Sequence, residues 1–113
     1  MKIRILMLVA LLAMSGQASA TYFTGSQLLK LCESTNQSER YICTGYLMGI
    51  SDATRTYENW NSLNSKKFCM PFEVDSIQLQ KVFIRHVNGH PEKLHLVASS
   101  LALNAFIEAF PCN

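Results

Sequence analysis

The chain has 113 residues, with ten basic and eight acidic side chains and a formal charge of +2. That length suits one small domain rather than two. The charge is too low to draw nucleic acid or an anionic membrane by electrostatics.

Residues 1–20 read as a secretory signal peptide. Lys2 and Arg4 form a positive start, Ile5 to Met14 an apolar run, and Ala18-Ser19-Ala20 a small-residue cleavage site. The apolar run is too short to span a bilayer and no stop-transfer pattern follows it. Cleavage after Ala20 leaves residues 21–113, exported in a bacterium to the periplasm, with no membrane attachment. Lys2 and Arg4 leave with the leader, so the remaining basic residues only balance the eight acidic ones. A neutral small protein resists association poorly, which makes self-pairing plausible.

The first helix is predicted from Gly25 to about Glu33. Thr24 and Gln27 are spaced as a capping box, and Phe23 and Leu28 as a hydrophobic staple; Leu28, Leu31 and Cys32 are its buried residues. Ser34 to Ser38 is a polar loop. A second helix covers roughly Ser38 to Asn59. Ile42, Tyr46, Gly49, Ile50, Ala53 and Tyr57 draw one stripe along it, and Ser51, Asp52, Arg55 and Glu58 share a more polar side. Gly45 and Gly49 cost helix propensity, so they point to close approach of another helix. Asn59 to Lys67 is a polar loop holding the only tryptophan, Trp60.

A third helix starts at the cap Asp75, with Gln78 at the third position and Val74 facing Leu79. Leu79, Val82, Phe83, His86 and Val87 form its buried face. Gly89 ends it in the C′ position, and Pro91 restarts the chain. The last helix runs from about Leu94 or Leu96 to Phe110. One face holds Leu94, Ala98, Leu101, Ala102, Ala105 and Ala109, and a second Leu103, Phe106, Ile107 and Phe110. A helix apolar on two faces lies centrally in a bundle or in a dimer contact. The chain reads as all-α, a small four-helix (or slightly more) bundle.

Cys32, Cys43, Cys69 and Cys112 make an even count in a short exported chain, which reads as two disulfides. Three pairings are open. Helix order favours Cys32–Cys43, closing the first hairpin, with Cys69–Cys112, joining the same end of helices three and four. By the chain-entropy model these bonds contribute about 3 and about 4 kcal/mol.

Catalytic patterns are missing. Bridged cysteines leave no thiolate to pair with His86, His90 or His95. His86 lies on an apolar stripe and reads as a satisfied, partly buried histidine, and His90 as a turn residue. His90 and His95 have no acidic partner at the spacing of a zinc-protease motif, so no metal or other cofactor is expected. Asp52 and Glu58 fall on different helix faces. A binding role remains. Glu58, Asn59, Trp60 and Asn61 are the candidate partner-binding residues, because an aromatic among polar groups makes a good interface anchor. Equally, Trp60 could fold back over the end of the core.

Several stretches together resemble a known family. These are Thr24-Gly25 ahead of Gln27-Leu28-Leu29 and Cys32, then Tyr41 to Ala53 with its C-x-G-Y-x-x-G-x-x-D run. Phe68-Cys69-Met70-Pro71, His90 to His95 and Ala109-Phe110-Pro111-Cys112 complete the set. The combination resembles the Rap/Tai immunity proteins, which protect bacteria against type VI secretion amidase toxins. The resemblance implies a helical periplasmic domain, commonly a homodimer, that occludes the active site of a peptidoglycan amidase effector without being an enzyme. It also implies a structural role for the motif cysteines and glycines, with Asp52 as an internal polar anchor and toxin contacts in variable loops. Family members often carry proline near position 97, where this chain has Val97, which bears on where the last helix starts. The alternative is a periplasmic acid-stress chaperone of the HdeA type, also small, helical and cysteine-bridged.

Overall fold

A computed structural model describes residues 22–60 and 66–113. The leader, its cleavage site and Asn61 lie outside the described residues. Four helices follow in order: α1 (Gly25–Cys32), α2 (Gln37–Asn59), α3 (Ser76–Asn88) and α4 (Ala98–Ala109), with a 3-10 turn at Pro91–Lys93 before α4. The only bridge pairing among the described residues is Thr24 with Val97.

The helix starts follow their capping residues. The Thr24 hydroxyl accepts the Gln27 N–H at 3.3 Å, while the Gln27 side chain accepts the Thr24 N–H at 3.0 Å. Asn36 caps α2 by accepting from Ser38 and Glu39, and Asp75 caps α3 by accepting from Gln78 at 2.8 Å. Each pairing satisfies backbone N–H groups that a helix start leaves without partners. The staple positions Phe23 and Val74 are half-buried against the core.

α4 begins later than its apolar pattern predicts, at Ala98 rather than Leu94 or Leu96. The reason is a long-range exchange. Gly25 and Ser26, at the start of α1, donate to the carbonyls of Leu96 and Leu94 at 2.8 and 2.9 Å. Ala98, at the start of α4, donates to Phe23 at 3.0 Å. Two helix starts thus satisfy each other, and the Leu94 and Leu96 carbonyls accept from the start of α1 instead of from helical N–H groups of their own. Val97 is the N-cap of α4 and offers no side-chain cap. Gly25 permits this approach: a Cβ there would overlap Leu101 Cδ1 and come within 3.1 Å of the Leu94 oxygen.

The core joins all four helices. Leu28, Cys32, Cys43, Leu47, Phe83, Val87, Leu101 and Phe106 are its largest fully buried side chains. α3 follows its predicted face, with Val82 only half-buried. Gly89 does not take a left-handed conformation; its φ is −77°, and its N–H closes the helix on Arg85 and Val87. His86 is buried, as expected of a satisfied histidine. Its Nδ1 lies 2.8 Å from Glu108 Oε2 on α4. His90 stacks on it with ring centroids 4.5 Å apart, and donates from Nδ1 to the His86 carbonyl at 2.7 Å.

α2 corrects the predicted stripe. Its buried residues are Cys43, Leu47, Ser51 and Thr54, whereas Ile42, Gly49, Ala53 and Tyr57 are exposed. At about 100° of rotation per residue, the predicted stripe runs along the flank of the buried one. Ser51 belongs to the inner face, not the polar side. Asp52 is exposed and is no internal anchor; the buried polar residues of α2 are Ser51 and Thr54. Thr54 is satisfied by donating to the Ile50 carbonyl at 2.8 Å. No other part of the described chain approaches Gly45 or Gly49: a Cβ at either would meet nothing within 4 Å.

Both favoured disulfides are present, Cys32–Cys43 and Cys69–Cys112. The first lies in the core between α1 and α2. The second ties the chain ahead of α3 to the end of α4, where Cys69 also donates its N–H to Phe110 at 2.8 Å.

Candidate partner-binding site

The candidate residues lie where α2 ends. Glu58 and Asn59 border a shallow cleft of about 370 Å³, closed on the far side by Lys66, Phe68, Cys69, Met70 and Pro71, with Arg55 beside them. Glu58 is committed within the fold. Its Oε1 accepts the Lys67 N–H at 2.8 Å, which pins Lys67 to the last turn of α2. Asn59 is exposed on the cleft rim. Trp60 does not fold over the core: it is 69% exposed and lies edge to face with Tyr57, with ring centroids 5.8 Å apart.

The cleft is one end of a longer groove. Arg55, Met70 and Pro71 are shared with a second depression that runs past Asp52, Ser51 and Met48 to Val74 and Leu79. Met48 and Ser76 lead on to a third, bordered by Tyr41, Thr44 and Ile77. One wall is the flank of α2 and the other is the chain from Lys66 into α3. Basic Arg55 and Lys66 alternate there with acidic Asp52 and Glu58, so the groove presents both signs of charge. Tyr41, Met48 and Ile77 add exposed apolar surface.

Phe72 is the residue that pattern reasoning missed. It is 99% exposed, in a turn closed by the Val74 N–H donating to the Pro71 carbonyl at 3.3 Å. The turn is held on both sides. Phe68 is buried and packs edge to face on Phe106, Cys69 is bonded to Cys112, and Asp75 starts α3. The signal was an aromatic outside every helical stripe, between a proline and a helix cap. An exposed aromatic on a fixed turn keeps its apolar surface for a partner and loses little freedom on docking.

All four cysteines are bonded, so none offers a free thiol. Among the described residues no group of three or more His, Cys, Asp or Glu side chains could hold a metal ion. None of their helices is long and apolar enough to cross a membrane. What the site offers is an aromatic-tipped, mixed-charge surface on a cross-linked bundle.

No curated protein matches the sequence. The family model of Rap1a immunity proteins matches residues 24–112, from the cap of α1 to the last cysteine. It spans the four described helices, both disulfides and the groove, and by that match the chain belongs to the Rap1a immunity protein family.

Proposed function

We propose that this protein is exported to the periplasm, binds a type VI secretion peptidoglycan amidase there and blocks its active-site cleft. Membership of an immunity family implies a cognate effector. The observation that carries the reading is the end of α2 with the Met70–Phe72 turn, where Trp60 and Phe72 stand in solvent on an anchored support. Occlusion of this kind needs no catalytic group. It needs a surface already in its bound shape, and the two cross-links reduce the ordering cost of docking. Trp60, Asn59 and Phe72 are the contacts, and Glu58 holds Lys67 against the end of α2. Asn61 is carried as a further contact from the sequence.

A second copy completes the assembly. Between Ile42 and Tyr57 the outer flank of α2 carries Ile42, Gly45, Tyr46, Gly49, Ile50, Ala53 and Tyr57 and no charged side chain. A row of small residues beside a row of large ones is complementary to itself when turned about a two-fold axis. Leu103 of α4 continues this face beside Ile50 and Tyr57. The glycines that the fold leaves open are thereby the point of closest approach between two α2 helices.

The test is a titration of the oxidised, leader-free protein against the peptidoglycan amidase encoded nearest its gene, with cell-wall hydrolysis read in parallel. Tight binding that abolishes hydrolysis supports the reading. No binding to that amidase or to related ones overturns it and leaves the family assignment in place. Light scattering on Ala53→Arg beside the unaltered protein tests the pairing, with loss of dimer expected only in the variant.

A further inference from the structure

The two disulfides sit in opposite surroundings. Cys32 and Cys43 are 1% and 0% exposed, inside the core, and reductant reaches them only if the bundle opens. Cys69 and Cys112 are both exposed residues. Thiol–disulfide exchange requires a thiolate to reach a sulfur, so access separates the two bonds kinetically.

The accessible bond also lies next to the groove. Cys69 directly precedes Met70-Pro71-Phe72, one rim of the cleft. Between Phe68 and the cap Asp75, the backbone hydrogen bonds of the described chain are few. Cys69 donates to Phe110, and Val74 closes its own turn on Pro71. Phe68 on Phe106 anchors only the root of the segment. Met70 and Val74 rest half-buried on the core, and the cross-link to Cys112 is the segment's covalent tie to the chain end that follows α4.

We propose that Cys69–Cys112 is a redox-sensitive strap, opened by a dithiol while Cys32–Cys43 stays closed, and that its opening loosens the Cys69–Glu73 rim. One thiolate of the dithiol attacks the Cys112 sulfur. The bond between the two cystine sulfurs breaks, and Cys69 leaves as a thiolate that takes a proton from water. The second thiol of the reductant then attacks the mixed disulfide, releasing Cys112. Two electrons pass to the cystine, and the reductant ends as its own disulfide. The effect on binding rests on the reading of the groove as the effector-docking surface; the selective opening does not.

The experiment exposes the oxidised protein to graded dithiothreitol, traps free thiols with iodoacetamide and maps them by mass. Helicity and amide exchange are followed in the same samples. Cys69 and Cys112 are expected to alkylate at least about ten-fold faster than Cys32 and Cys43. Helicity should persist, with exchange rising in residues 69–73 and not in the α1–α2 hairpin. The double variant Cys69→Ala/Cys112→Ala should reproduce that exchange pattern without reductant. Equal alkylation of the two pairs, or loss of helicity together with the first thiols, overturns the strap. Amidase affinity of the reduced sample separates the two readings. A fall of about ten-fold or more supports both. Unchanged affinity with raised exchange keeps the strap and removes the groove as the docking surface.

Discussion

Cys32–Cys43 and Cys69–Cys112 have almost the same Cα separation, 5.1 and 5.0 Å, but span 11 and 43 residues. Loop-closure entropy alone ranks the second bond higher, at about 4 against about 3 kcal/mol. Burial reverses the ranking. The first bond is a piece of the core, touching the layer that holds Leu28, Leu47 and Phe83, and the Gln80 side chain donates to the Cys32 carbonyl beside it. The second ties down a segment whose outer residues meet water. A cross-link inside the core has its effect through packing as well as through the unfolded chain, whereas one at the surface shapes a site.

Breaking the core bond should therefore have the largest effect. Cys32→Ser/Cys43→Ser loses about 3 kcal/mol of loop closure and buries two hydroxyls at about 1–3 kcal/mol each where they find no acceptor. Against a total stability of about 5–15 kcal/mol, the variant is expected to be unfolded at 37 °C by circular dichroism. Cys69→Ser/Cys112→Ser should lose no more than about 4 kcal/mol and keep its helices, as a urea titration will show. A core variant that tolerates the change better than the surface variant would overturn the comparison.

Two glycines sharpen the same contrast between inner and outer surface. At Gly25 an added methyl group overlaps buried Leu101 and crowds the Leu94 carbonyl, so Gly25→Ala should cost about 1–3 kcal/mol. At Gly49 it meets nothing within 4 Å, and Gly49→Ala should stabilise the monomer by about 0.5–1 kcal/mol through helix propensity. If the outer flank of α2 pairs two copies, the same substitution weakens the dimer. Opposite signs of monomer stability and self-association in one variant are what light scattering and thermal melts should report.

The starts of α1 and α3 were legible because capping is local: Thr24 with Gln27, and Asp75 with Gln78, lie three residues apart. The face of α3 was legible because its buried residues keep one helical period: Leu79, Phe83, His86 and Val87 follow at three- and four-residue spacing. α2 has three surfaces, to the core, the groove and the solvent flank, and its apolar residues are shared among them; Ile42 and Tyr57 match the helical period as well as Cys43 and Leu47 do. The start of α4 depends on hydrogen bonds to Phe23, Gly25 and Ser26, more than sixty residues earlier in the chain, so no local pattern carries it. Of the site, Trp60 was visible as an aromatic in a polar loop. The opposite rim, with Phe72, was not, because what brings it beside α2 is the fold and the Cys69–Cys112 bond.

Phe106 and Phe72 stand at the two extremes of burial. Phe106 is 0% exposed and supports the root of the site through Phe68; Phe106→Ala should cost about 3–5 kcal/mol. Phe72 is 99% exposed, so Phe72→Ala has no packing to lose and should leave stability within about 0.5 kcal/mol. Its effect belongs to binding. An aromatic held at the tip of an anchored turn behaves as an interface hot spot, worth about 2 kcal/mol or more when truncated. That corresponds to a loss of amidase affinity of about thirty-fold, read by calorimetric titration beside an unchanged melting curve. Trp60→Ala should behave in the same way, less the small edge-to-face contact with Tyr57. If both substitutions leave affinity unchanged, the aromatic end of the groove is not the docking surface, whatever the rest of the bundle binds.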